Sequence, residues 1–176
     1  MALELGLSFE TIQSGITSYQ GVRRRFDIKG IHNDIIVVDD YAHHPTEVEA
    51  TLKAAKNGWD RRIIAVFQPH LFTRTQEFFR EFSQALQLAD LVIITDIYPA
   101  REQPIPGVTA KLIVDECQKA MGGNCIYLAD LDDLETILDP IVIPNDLILT
   151  MGAGSIWRYS ESYTSHLASQ TLGVEA

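Results

Sequence analysis

Cysteine is scarce in this chain. Two thiols, Cys117 and Cys125, stand among 176 residues, too few for a disulfide framework and at no zinc or redox spacing. Long apolar runs are missing too. None approaches the ~18 residues that a membrane span needs, and the acidic, amphipathic start MALELGLSFE is not that of a signal peptide. Positive charge is the minority sign: 14 lysines and arginines against 24 acids give a net charge of −10. That argues against a nucleic-acid coat or a binder of anionic membranes, but leaves room for a local basic pocket. No repeat, no low-complexity segment and no GxxxxGK[ST] phosphate loop occurs, so the chain by itself cannot hold ATP in the P-loop manner. What is present is ordinary for a globular protein, 46% hydrophobic and 22% charged, which excludes disorder. The expected compartment is the cytoplasm, and the length fits one domain with room for a fragment of another.

Apolar periodicity alternates between 2 and 3.6 residues. The pattern predicts a helix over 2–18, broken near Gly6, then a basic segment Gly21–Phe26. Strands over 26–31 and 34–39 meet at His32-Asn33-Asp34, where a two-residue turn makes a hairpin. A helix opens at Pro45-Thr46-Glu47, with Val48, Leu52 and Ala55 on one face. Next come a strand over 62–67, a helix over 73–88 with Phe78, Phe79, Phe82 and Leu86 on one side, and a strand over 91–95. Residues 108–121 read as helix, 125–128 as strand, 131–138 as helix with Leu134, Ile137 and Leu138 inward, 147–151 as strand and 155–167 as helix. Near-continuous apolar strands indicate burial on both faces. The expected fold is therefore α/β: a Rossmann-like, doubly wound, mostly parallel six-stranded sheet with one antiparallel strand and helices on both faces. A boundary is expected near residue 20, dividing a first helix (1–20) from a domain over 21–170, with a loose tail over 171–176.

Ligands of such sheets gather at the carboxyl ends of the strands. Those ends carry Asp39–His44, Gln68-Pro69-His70, Asp96-Ile97-Tyr98 and Gly152-Ala153-Gly154-Ser155. Strand alternation sends Asp39 and Asp40 to opposite faces, so their cluster with His43 and His44 is a poor metal cage. Two readings of Asp40 stay even: it accepts hydrogen bonds from ribose hydroxyls, or it satisfies backbone groups at the turn. Arg23-Arg24-Arg25 is either a phosphate contact or a solvated surface run. Thr73 and Thr75 are each candidate helix caps, which places Arg74 in the first turn, where a cation opposes the helix dipole unless an anion or water faces it. Gly152–Ser155 lacks the third glycine of a dinucleotide fingerprint, because Trp157 stands in its place; it reads as close backbone packing near a site. The loop Tyr98–Gly107, with three prolines, is either a functional loop or a rigid connector.

Together, GVRRRF (21–26), DDYAHHPTEV (39–48), FQPH with TRT (67–70 and 73–75), DIYPARE (96–102) and GAG (152–154) resemble the C-terminal domain of the Mur ligases, in the branch that adds L-alanine to UDP-N-acetylmuramate in peptidoglycan synthesis. A related muropeptide-recycling ligase shares the aspartate-histidine segment, and a free-standing module that binds a nucleotide or amino acid is a further alternative. The resemblance covers residues 21–160. It implies a three-domain, ATP-dependent enzyme working through an acyl phosphate, of which this chain carries the last domain and is inactive alone. It implies that Arg25 approaches the ATP phosphates as the catalytic cation, that Asp40 and Tyr41 lie at the nucleotide, and that His43 and Arg74 hold the amino-acid substrate. Mg²⁺ is implied as well, with its ligands outside this chain, so no metal ligand is assigned here. Leu71 departs from some relatives, which carry arginine there. The implied partners are the missing N-terminal and central domains.

Overall fold

The computed structural model describes residues 2–18 and 21–172. Helix α1 (Phe9–Thr17) is capped by Ser8, whose side chain accepts from the Thr11 backbone N–H, and it buries none of its residues. Gly6, at φ +82°, sits in the turn before it, where the break is expected. The boundary expected near residue 20 falls on residues 19–20, outside those described.

Strands β1 (Asp27–His32) and β2 (Ile35–Asp40) form the expected antiparallel hairpin. Its two turn residues, Asn33 and Asp34, have φ of 51° and 61°, as a turn that matches the strand twist requires. After α2 (Pro45–Gly58) come β3 (Arg62–Phe67), α3 (Phe72–Leu86), β4 (Leu91–Thr95), α4 (Lys111–Met121), β5 (Cys125–Leu128), α5 (Leu134–Leu138), β6 (Asp146–Met151) and α6 (Ile156–Leu172). The sheet order is β1-β2-β6-β3-β4-β5, parallel throughout except for β1. The expected six-stranded, doubly wound α/β sheet is thus the observed one. Helix α6 continues past 167 to Leu172, and the end of the expected tail, 173–176, lies outside the described residues.

Alternate residues of each central strand feed two cores. Ile36 and Val38 of β2 and Ile63 and Ala65 of β3 pack with Val48, Leu52, Phe82, Leu86 and Ile113 of α2, α3 and α4. Ile35, Val37, Ile64 and Val66 pack on the other face with Leu134, Leu138, Tyr163 and Leu167 of α5 and α6. Each buried aliphatic side chain contributes about 1.5–3 kcal/mol against exposure, so both layers are needed. At the amino ends of the strands, Arg62 holds the buried Asp146 by two hydrogen bonds, of 2.8 and 2.6 Å. Towards that same end, His166 of α6 places Nδ1 2.8 Å from Glu135 and Nε2 3.1 Å from Asp139, tying α6 to α5.

Two expectations are corrected. Helix α3 is not continuous: Phe78 leaves helical geometry at φ −118°, ψ 18°. Its start is also capped by neither threonine. Leu71, at φ 74°, occupies the N-cap without a side-chain bond. Glu102, from the loop after β4, accepts from the Thr73 backbone N–H at 3.1 Å and from its hydroxyl, while Thr75 Oγ1 donates to the Leu71 carbonyl. A carboxylate brought from 29 residues away does the work expected of a local hydroxyl.

Candidate functional site

The chain runs β2, β3, β4, β5 with helices on one face, then returns by α5 to insert β6 between β2 and β3. Helices α2 and α3 leave one face at this place and α6 leaves the other, which opens a crevice at the carboxyl ends of β2, β6 and β3. Every segment singled out in the sequence abuts this edge. Gly152 N–H donates to the Asp40 carbonyl and Gln68 N–H to the Met151 carbonyl. A methyl group on Gly154 would collide with the Gln68 and Tyr98 side chains, and one on Gly152 would lie 2.8 Å from the Gln68 carbonyl oxygen. The glycines therefore serve close packing, as expected. The N–H of Ile156 at the start of α6 is already taken by Gln68 Oε1 at 3.1 Å.

The two aspartates are buried and committed. Asp39 accepts from Arg24 Nε and Thr150 Oγ1, both at 3.0 Å. Burial pushes its carboxyl above the ordinary range, against the pull of Arg24 and Thr150. Asp40 accepts from the backbone N–H of Phe26 at 2.7 Å and of Ala42 at 2.8 Å. Of the two readings of Asp40, the turn-satisfying one is directly visible, and the residue is 6% exposed.

The arginine run is divided by its surroundings. Arg24 also donates to the Gly152 carbonyl and lies over the Tyr41 ring, 4.8 Å from the centroid. Arg23 and Arg24 line a cavity of about 330 Å³ with Lys29 and Trp157. Arg25 is exposed and its side chain has no hydrogen-bond or ion-pair partner among the described residues, while its charge reaches Glu47 on α2. Sequence reasoning could not divide three identical side chains. The structure holds Arg24 alone of the run and leaves both Arg23 and Arg25 exposed, without a side-chain hydrogen bond or ion pair among the described residues.

On the β3 side, Arg74 Nη1 lies 3.4 Å from the His43 carbonyl oxygen and 3.4 Å from His70 Nδ1. The two residues assigned to the amino-acid substrate are thereby neighbours. His43 meets Tyr41 edge-on at 5.1 Å and His70 edge-on at 5.9 Å, and His70 stacks on Tyr98 at 5.8 Å. Burial, with the neighbouring Arg74 cation, holds the His70 imidazole below its ordinary value. His70 and Tyr98 were missed as individual site residues; the signal was their place just past the ends of β3 and β4. Glu47 closes a capping box with His44 and lies 3.2 Å from His43 Nδ1.

The fold and this edge define a Rossmann-like domain whose polar crevice gathers arginine, imidazole and carboxylate groups. The family profile described as "Mur ligase, glutamate ligase domain" matches residues 24–154. The chain belongs to the Mur ligase family. It is 50% identical over 167 residues to the UDP-N-acetylmuramate–L-alanine ligase of Geotalea daltonii and 47% identical over 167 residues to that of Geotalea uraniireducens, covering in each case 95% of this chain and 36% of the relative. The chain therefore spans about a third of the length of these relatives. The crystal structure of a UDP-N-acetylmuramate-alanine ligase from Thermotoga maritima superposes with a TM-score of 0.79 at 30% identity, over 96% of this chain and 35% of that one. A murein peptide ligase from Psychrobacter arcticus gives 0.69 at 26% identity, over 94% of this chain and 34% of that one.

Proposed function

We propose that this chain is the C-terminal domain of an ATP-dependent, C–N bond-forming ligase that joins L-alanine to the lactyl carboxylate of UDP-N-acetylmuramate in the cytoplasm, for peptidoglycan synthesis. The identity to alanine-adding relatives supports this substrate over the tripeptide of a recycling ligase. The observation that carries the reading is that the ends of β2 and β3 bring the two sets of residues together: Tyr41 meets His43 edge-on, and His43 in turn neighbours His70 and Arg74.

In this reading the sugar carboxylate is activated as its acyl phosphate, and the amine of alanine displaces phosphate. Arg25 supplies positive charge where phosphoryl transfer develops negative charge. Asp40 spends its spare lone pairs on ribose hydroxyls and Tyr41 flanks the nucleotide. Arg74 pairs with the alanine carboxylate, which explains a cation at a helix start, and His43 faces the same substrate. The crevice does not offer Mg²⁺ a ligand set, because Asp39 is committed to Arg24 and Thr150 and Asp40 is left as a single carboxylate that already accepts two backbone N–H groups. Magnesium ligands and the phosphate loop then belong to the upstream domains. In this reading the segment carrying α1 (Phe9–Thr17) is the end of the preceding domain. Leu3, Leu5, Leu7, Phe9 and Ile16, each exposed here, are apolar surface suited to packing against it.

Phosphate release in the presence of ATP, Mg²⁺, UDP-N-acetylmuramate and L-alanine tests this. The expected result is turnover by the full-length enzyme and none by this chain, whose ATP affinity is too weak to register at micromolar concentration. Turnover in neither would overturn the ligase reading in favour of a binding module, and a preference for tripeptide over alanine would favour the recycling ligase.

A further inference from the structure

We infer that His43 is the proton acceptor for the incoming amine and that Glu47 is the residue that positions it; the inference rests on the ligase reading above. His43 Nδ1 lies 2.9 Å from the Tyr41 carbonyl oxygen and 3.2 Å from a carboxylate oxygen of Glu47. A carbonyl has no proton to give. Nor has Glu47: burial alone would raise its carboxyl, but the N–H groups of His43 and His44 and the fields of His43 and Arg25 hold it below its ordinary 4.5. Both neighbours only accept, so Nδ1 carries the hydrogen and, in the neutral ring, the lone pair resides on Nε2. No described residue hydrogen-bonds to that Nε2, and the side chain is 23% exposed at the crevice.

His70 has the opposite arrangement. Its Nδ1 faces Nη1 of Arg74, and a guanidinium only donates. The lone pair of His70 is therefore spent on Nδ1 and its Nε2 carries the hydrogen. Two imidazoles 5.9 Å apart thus present unlike groups, a lone pair from His43 and an N–H from His70 beside Arg74. That pair matches an amino-acid zwitterion: donors for the carboxylate and one acceptor for the ammonium. The charged or titratable groups facing His43 are Glu47 of α2, His70 and Arg74 from the β3–α3 segment, and Tyr41, with Arg25 acting on Glu47.

At neutral pH the amine of alanine is an ammonium and has no lone pair to attack with. His43 Nε2 takes one of its protons; that N–H bond breaks and leaves its electron pair on nitrogen. The amine then forms the C–N bond at the acyl carbon, and the C–O bond to phosphate breaks with its pair leaving on phosphate. The surplus amide proton and the imidazolium proton pass to water. Glu47 stabilises the imidazolium by the same Nδ1–H bond that selects the tautomer, as a carboxylate behind a catalytic histidine does.

Two measurements test this. Two-bond ¹H–¹⁵N spectra of this chain at alkaline pH should show His43 as the Nδ1–H tautomer and His70 as the Nε2–H tautomer; an Nε2–H signature at His43 overturns the inference even where the ligase reaction is confirmed. In the full-length enzyme, His43→Gln should lower kcat about 10²–10⁴-fold with the KM for alanine moved only a few-fold. Added imidazole should restore turnover to His43→Ala. Glu47→Gln should lower kcat by about tenfold or more. Losses confined to KM, or kcat near wild type in both His43→Gln and Glu47→Gln, would overturn the roles. Wild-type enzyme without alanine-dependent turnover would overturn the ligase reading and the step with it, while leaving the tautomers as found.

Discussion

Arg24 Nη2 donates to the carbonyl oxygen of Gly152 at 2.6 Å, across 128 residues of chain, while its Nε holds the buried Asp39 at 3.0 Å. One guanidinium thus fastens the entry segment to the ends of β2 and β6. Removing it leaves Asp39 buried with Thr150 alone. Arg24→Ala should cost about 3 kcal/mol in urea unfolding at neutral pH, whereas Arg25→Ala should stay within about 0.5 kcal/mol of wild type. Since burial already pushes Asp39 upward, it takes up a proton first when Arg24 is gone, so the deficit should shrink on acidification. Equal costs for the two arginines would contradict the division of the run.

Gln68, just past the end of β3, supplies an acceptor to the start of α6. Truncating it leaves the Ile156 N–H without its acceptor, and Gln68→Ala should lower stability by about 0.5–2 kcal/mol. Gly154→Ala places a methyl group against Gln68 and Tyr98 and should cost about 1–3 kcal/mol. Thermal denaturation of both variants checks the pair; a neutral Gly154→Ala would mean that this crevice is looser than described.

Glu47 gives a pH signature. Its folded carboxyl lies below the ordinary 4.5 despite a burial effect in the other direction. A lowered carboxyl contributes stability that is present above the unfolded value and lost as pH falls through the folded one. The stability gap between wild type and Glu47→Gln should therefore close as pH falls below 4.5. A gap that persists undiminished well below that pH would reverse the assignment.

Cys117 and Cys125 are both buried and free. A hydrogen bond to Cys117 and then burial push the Cys125 thiol far up, so it supplies no thiolate at neutral pH. Neither thiol should react with Ellman's reagent in the folded chain, and both should react on unfolding in guanidinium. Rapid labelling of the native chain would show that α4 opens from β5.

Elements were legible where a local pattern meets a local need. The hairpin at Asn33-Asp34 and the helix starting at Pro45 each depend on a few adjacent residues, and both stand as expected. The start of α3 was misread because its acceptor, Glu102, arrives from a distant loop while two threonines sit nearby. The kink at Phe78 left no Gly or Pro to signal it.

The candidate site divides in the same way. Residue order alone placed Asp40, His43, His70, Arg74 and Gly152 near strand ends, because a parallel sheet collects its functional loops along one edge whatever the order of its strands. Which arginine of the run is bound, and which nitrogen of each histidine carries its proton, only the tertiary structure decided. Both depend on partners contributed by separate segments, such as the Gly152 carbonyl for Arg24, the Glu47 carboxylate for His43 and the Arg74 guanidinium for His70. Hydrogen bonding is directional and short in range, so it is settled by neighbours in space, whereas the alternation of apolar residues that sets strands and helices is settled by neighbours along the chain.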